Sequence, residues 1–267
     1  MLDTDDIHTL AEELDRARKQ VTTVPQLSLR HPEMTVADAY AVQRAWIKRM
    51  MAEGRRVVGR KIGLTSMPMQ RSMGINEPDY GVIVDDMVFD NASEIPWDRF
   101  VFPRVEIELA FVLSERLQGP GVDVAEVLRA TSHISPAIEV LDSRIEMTDP
   151  HSGHRRTIVD TISDNAADAG MVVGPGVLNP GELRPRDLSA LLYINGVIEE
   201  SGVASVVLGN PAQGVAWLAN RLGAYDQALE AGEVILSGSL TQSVPVARGD
   251  VVHGDFGALG AVTCRFV

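Results

Sequence analysis

The run Arg104-Val-Glu-Ile-Glu-Leu-Ala-Phe-Val-Leu113 constrains the fold of this chain more than any other stretch, because it sets two carboxylates inside an apolar strand pattern. Val105, Ile107, Leu109 and Phe111 alternate with Arg104, Glu106, Glu108 and Ala110. At a side-chain period of two, both glutamates fall on one face. Two readings fit: a half-exposed strand with a solvated acidic face, or a hard-cation site that draws more oxygen ligands from elsewhere. A third acid has a similar setting, since Ser135-Pro-Ala-Ile-Glu-Val-Leu-Asp142 reads as a strand with Glu139 between Ile138 and Val140. Buried carboxylates must be neutralised. Mg²⁺ or Mn²⁺ suits three oxygen ligands better than zinc, and no His-Glu-x-x-His or Cys-x-x-Cys arrangement occurs. Salt bridges to Arg99, Arg104 or Arg144 are the competing reading.

Around these strands the pattern divides the chain in two. Residues 1–55 read as a helical section: one helix over 5–21, a proline-containing turn, and a second helix from the N-cap Thr35 to the stop at Gly54. Residues 56–267 read as a β-rich catalytic domain packed with it as one unit. Strands are expected at 56–65, 80–84, 170–173, 191–198, 234–241, 250–253 and 261–267, with a hairpin turn at Asn195-Gly196. Short helices are expected at 67–73 and from Asp123, and a longer one at 210–222 with Pro211 in its first turn. Residues 143–168 show no strong periodicity and read as a functional loop or a disordered one. Helices early and strands later favour an α+β fold.

The net charge of −13 leaves no basic face for a nucleic-acid backbone or an anionic membrane. The N-terminus carries no basic, apolar leader, and no apolar span reaches membrane length, so the cytoplasm is the expected location. No Gly-x-Gly-x-x-Gly or Gly-Lys-Ser/Thr loop follows a strand, which sets phosphate-loop enzymes aside. The single cysteine, Cys264, forms no intrachain disulfide and reads as a small core residue. Met67, Met69 and Met73 read as pocket or core filler, and His133, His151, His154 and His253 lack metal-ligand spacing.

Six separated runs resemble one family: Gly59-Arg-Lys-Ile-Gly-Leu-Thr-Ser66, Glu77-Pro-Asp-Tyr-Gly81, Pro103 to Leu113, Asp160-Thr-Ile-Ser-Asp-Asn-Ala166, Gly214-Val-Ala-Trp-Leu-Ala-Asn220 and Ala231 to Ser239. Their order and spacing are similar to the 2-oxo-hept-4-ene-1,7-dioate hydratases, in the hydratase/decarboxylase branch of the fumarylacetoacetate hydrolase superfamily. The resemblance implies a β-rich α+β fold with a mixed β-roll core, a divalent metal (Mg²⁺, with Mn²⁺ as the alternative) on Glu106, Glu108 and Glu139, and a homo-oligomer. It also implies a 2-oxo dicarboxylate substrate from homoprotocatechuate breakdown.

Within that resemblance Lys61, a cation in a glycine-flanked strand, is the expected partner of the substrate carboxylate or enolate, with burial expected to lower its pKa. Asp79 is the expected proton carrier. Ser163, Asp164, Asn165, Ser239 and Thr241 are expected around the substrate, because short polar side chains suit carboxylate binding. Arg155 and Arg156 are expected to receive the distal carboxylate. A 2-oxo-3-hexenedioate decarboxylase or a 2-hydroxypenta-2,4-dienoate hydratase would use the same core. A non-catalytic partner subunit of a pathway enzyme is the alternative from another class, and retention of Lys61 with all three glutamates speaks against it.

Overall fold

The computed structural model describes residues 2–72 and 74–267. It opens with helices α1 (Thr4–Gln20), α2 (Leu27–Arg30) and α3 (Val36–Ala52). Asp3 caps α1 through its side chain, and Thr35 with Asp38 forms a reciprocal capping box that starts α3. The buried face of α3, which includes Tyr40, Gln43, Trp46 and Met50, packs on α1 and on a later short helix.

The remaining elements are β1 (Val57–Gly63), α4 (Met67–Ser72), β2 (Asp79–Val84), β3 (Val88–Phe89), β4 (Ser93–Ile95), β5 (Arg104–Leu113), α5 (Val124–Ala130), β6 (Thr131–Leu141), α6 (Ile158–Ser163) and β7 (Asp168–Val173). They continue with β8 (Ser189–Ile194), β9 (Val197–Val203), α7 (Pro211–Gly223), β10 (Val234–Ser239), β11 (Val244–Pro245), β12 (Val251–Asp255) and β13 (Ala261–Phe266). An eight-stranded mixed sheet runs β2-β1-β10-β5-β6-β7-β3, with β11 also on β5, and a five-stranded sheet runs β4-β13-β12-β8-β9. The chain is therefore α+β, with curled mixed sheets as the core. Ile107, Leu109, Phe111, Ile134 and Ile138 are fully buried on the central β5/β6 pair.

The structure corrects two expectations and bears out a third, that of Cys264 as a core residue. The 143–168 segment is not all loop: its second half holds α6, begun by a capping box between Thr157 and Asp160. A six-residue helix is too short to leave a periodic signal. Met67 and Met69 are exposed rather than core filler, and Met73 lies outside the described residues. Cys264 is buried, with its thiol pushed up to about 12 by that burial. Among the described residues no helix is long and apolar enough to cross a membrane.

Candidate active site

The β5/β6 ladder builds the centre of the site. Glu106 stands opposite Glu139 in antiparallel register, and Glu108, two residues along, shares their face. One ligand oxygen from each of the three lies within 4.8 Å of the others. Glu108 and Glu139 are buried; Glu108 Oε1 has no hydrogen-bond partner, and Glu139 Oε1 faces the Lys61 ammonium. The other Glu108 oxygen accepts from the Gly238 amide at 2.8 Å.

Neighbouring strands supply the rest. In the order β2-β1-β10-β5-β6-β7, each contributes at least one polar group: Asp79, Lys61, Ser239, the Glu106/Glu108 pair, Glu139 and Asp168. Lys61 Nζ is 3.1 Å from Glu139 Oε1, although two strands separate their own. In a flat sheet those backbones would be about 14 Å apart, so the curl of the sheet brings cation and carboxylate together. Gly63 leaves the room this needs, since a Cβ there would sit 2.2 Å from Asp79 Oδ1 and 3.4 Å from Lys61 Nζ.

The three arginines considered as neutralisers point elsewhere. Arg144 pairs with Asp164 at 2.6 Å, Arg99 donates to the Asp86 carbonyl, and Arg104 is held by Ser243. Lys61 is the cation in contact with the triad among the described residues.

Charge crowding shows in the titration of the group. Burial, then Glu139, pushes the Glu106 carboxyl up to about 8, while Lys61, Ser239 and Arg104 act the other way. Burial, Glu139 and Glu106 raise Glu108 well above the ordinary carboxylate range. Burial takes Asp79 to about 6 against the opposing pull of Lys61. For Lys61, burial is the largest influence and lowers its pKa, but Glu139, Asp79, Asp168 and Glu106 together outweigh it. Its pKa therefore lies above the ordinary lysine value in the metal-free chain, and the expectation of a lowered one is corrected.

An orphaned buried oxygen on Glu108 and a hard, all-oxygen set of three carboxylates with one ammonium beside it fit a divalent cation such as Mg²⁺. The residues present match that group.

The other expected residues divide. Ser163 is fully buried with an unpartnered hydroxyl, and Thr241 Oγ1 is likewise unpartnered. Ser239 faces Glu108 across β10 and β5, and its hydroxyl donates to the Thr241 carbonyl. Asp164 is committed to the Arg144 side chain and backbone amide. Asn165 bonds both the N–H and the carbonyl of Val82, which makes it a brace for β2. Arg155 is exposed, whereas Arg156 is half-buried and donates to Ser143 Oγ. Asp168 escaped the sequence reading: it is 2% exposed, neither oxygen has a partner, and burial, then Glu139, raises its pKa. Its only sequence signal was an acid placed directly before the apolar run Ala169 to Val173.

A curled mixed sheet carrying a carboxylate triad defines a class, and the chain belongs to it: residues 66–267 match the family described as fumarylacetoacetate (FAA) hydrolase C-terminal. Within that family the chain is 53% identical over 261 residues to the 2-oxo-hept-4-ene-1,7-dioate hydratase of Escherichia coli, covering 97% of this chain and 98% of that one. It is 38% identical to a 2-hydroxyhexa-2,4-dienoate hydratase of Comamonas testosteroni, covering 100% and 99%. Its structure superposes on the 4-oxalocrotonate decarboxylase of Pseudomonas putida G7, complexed with magnesium and adipate, with a TM-score of 0.94, 32% identity and coverage of 100% and 99%.

Proposed function

We propose that this enzyme is a hydro-lyase that hydrates 2-oxohept-4-ene-1,7-dioate to 4-hydroxy-2-oxoheptane-1,7-dioate, in homoprotocatechuate catabolism. The observation that carries the reading is the near full-length 53% identity with the E. coli hydratase, on a chain that keeps Lys61 3.1 Å from Glu139 of a three-glutamate cluster, two of whose members are buried. Glu106, Glu108 and Glu139 would hold Mg²⁺, in keeping with the magnesium named for the P. putida decarboxylase structure. Bound there, the cation supplies Lewis-acid polarisation of a chelating 2-oxo acid.

The chain's own groups do the proton work. Asp79, with its carboxyl near 6, is ionised at neutral pH and takes a proton from C3. Lys61 holds the negative charge that then develops on the C2 oxygen, as a preorganised donor whose raised pKa keeps it cationic. Returning the proton at C5 moves the double bond into conjugation with the ketone. Water then adds at C4, and C3 takes up a proton, so the net change is one water across the original double bond. Ser163, Ser239 and Thr241 line the substrate's path as neutral polar groups. The same reading makes the enzyme a cytoplasmic homo-oligomer acting on a small-molecule diacid, with 1–55 and 56–267 folding as one unit.

The chain's higher identity to the hydratase than to the decarboxylase, 53% against 32%, favours hydration. Product analysis with Mg²⁺ and both unsaturated diacids decides: a hydroxy-keto product from the seven-carbon diacid is expected. Carbon dioxide release from 2-oxo-3-hexenedioate without any hydrated product would overturn the assignment.

A further inference from the structure

A cavity of about 600 Å³ lies at the end of β5 and β6 next to the triad. Arg104 and Leu141 pair across β5 and β6 one same-face step beyond Glu106 and Glu139, and both line it. Its wall is apolar at Trp97, Leu141 and Val246, and its charge comes from two guanidiniums. Arg104 Nε donates to Ser243 Oγ at 2.8 Å, with a further bond from Nη2 to the Ser243 carbonyl. Arg156 Nη1 donates to Ser143 Oγ at 2.7 Å. Neither guanidinium forms an ion pair among the described residues. The lining acid, Asp142, spends its oxygens on the Val101 and Phe102 amides, at 3.0 and 2.8 Å. Two guanidiniums held by serine hydroxyls, against the one amide-bound carboxylate of Asp142, leave a net positive end to an otherwise largely apolar cavity.

We infer that this cavity is the subsite for the far carboxylate of a 2-oxo diacid, with Arg104 and Arg156 as its specificity-determining residues and the exposed Arg155 outside it. Two strand residues span about 6.8 Å, and the guanidiniums extend beyond that step, a separation suited to a substrate that must reach from the triad through an extended seven-carbon chain. The methylenes between its ends would lie against the apolar wall. The rival is Arg221 in the cavity of about 320 Å³ at Asp79, but Glu77 shares that cavity 3.7 Å from it and cancels its charge.

The inference rests on the hydratase reading only for the length of the diacid, not for the reaction. Its test is therefore binding of saturated analogues that cannot be hydrated: 2-oxoheptanedioate against 2-oxoheptanoate, by calorimetry on the Mg²⁺-loaded protein. These differ only in the distal carboxylate. The wild type should prefer the diacid by about 10- to 100-fold, the value of one or two charged hydrogen bonds. Arg156→Met and Arg104→Met should each cut that ratio by about 10-fold, and Arg156→Lys should keep part of it. A wild type without preference, a ratio the Met variants leave intact, or an equal loss for both analogues would each overturn the subsite. A protein that prefers the diacid analogue yet forms no hydroxy-keto product keeps the subsite and loses the hydratase reading.

Discussion

Replacing Glu106 by glutamine should have opposite effects on stability with and without a divalent cation. In the metal-free chain the carboxyl moves from 4.5 to about 8, chiefly through burial and then Glu139. A carboxyl whose folded-state pKa lies above its unfolded value leaves stability intact below the unfolded pKa and withdraws it as pH rises through the folded one. The window here is pH 4.5 to about 8. At pH 8 the difference is worth roughly 4 kcal/mol, at about 1.4 kcal/mol per pH unit. A glutamine amide in the same place gives back about 1–2 kcal/mol if unpartnered. The net gain is about 2 kcal/mol, or on the order of 5 °C in a chain of this size.

Chemical denaturation at one protein concentration, with EDTA or Mg²⁺ and at pH 5 and pH 8, resolves these terms. The concentration must stay fixed because self-association would otherwise enter the measured stability. In EDTA, wild type and Glu106→Gln should differ little at pH 5, and the variant should be the more stable at pH 8. Mg²⁺ at 100 times its Kd should add about 2.7 kcal/mol to the wild type and much less to the variant, reversing their order. A variant less stable than wild type in EDTA at pH 8, or equal Mg²⁺ stabilisation of both, would refute the crowding argument.

Three further outcomes follow from the same geometry. Lys61→Met leaves Glu139 without its cation, so in EDTA it should cost about 3–5 kcal/mol, as breaking a buried pair does; Mg²⁺ should narrow that deficit while turnover stays at least about 100-fold down, and near-normal turnover would remove Lys61 from the chemistry. Asp79→Asn should abolish the acid limb of kcat/KM, which in the wild type should rise through pH near 6 as the carboxyl ionises; an unchanged limb would assign it to another group. Gly238 has φ +119°, and a Cβ there would lie 2.4 Å from Thr65 Oγ1, so Gly238→Ala should displace the amide that orients Glu108 and weaken Mg²⁺ binding by about 10- to 100-fold in calorimetry. An unchanged Kd would show that the amide does not position this ligand.

What the sequence disclosed depended on distance along the chain. Alternation at period two exposed Glu106 and Glu108, and the turn and cap residues Asn195-Gly196, Thr35 and Asp123 marked a hairpin and two helix starts, because each signal is complete within a few residues. The contact of Lys61 with Glu139 is of another kind. It depends on how sharply β1, β10, β5 and β6 curl, which no local pattern encodes. Asp164 shows the converse: inside a motif it looked like a substrate ligand, yet Arg144, twenty residues back, claims it as a brace. Asp168 was passed over because an acid at a loop-to-strand junction resembles an ordinary turn former until the fold sets it, unpartnered, near Lys61 and Glu139.

Burial separates these cases. A carboxylate with protein donors on its oxygens, like Asp164, is paid for by the fold; Glu108, Asp79 and Asp168 each keep a buried oxygen without one, and Glu139 has only the shared Lys61 ammonium. The fold bears that cost only where something else completes the coordination. Unsatisfied carboxylate oxygens gathered around Lys61, rather than the acidity of the motif, therefore separate the reactive site from the scaffold around it.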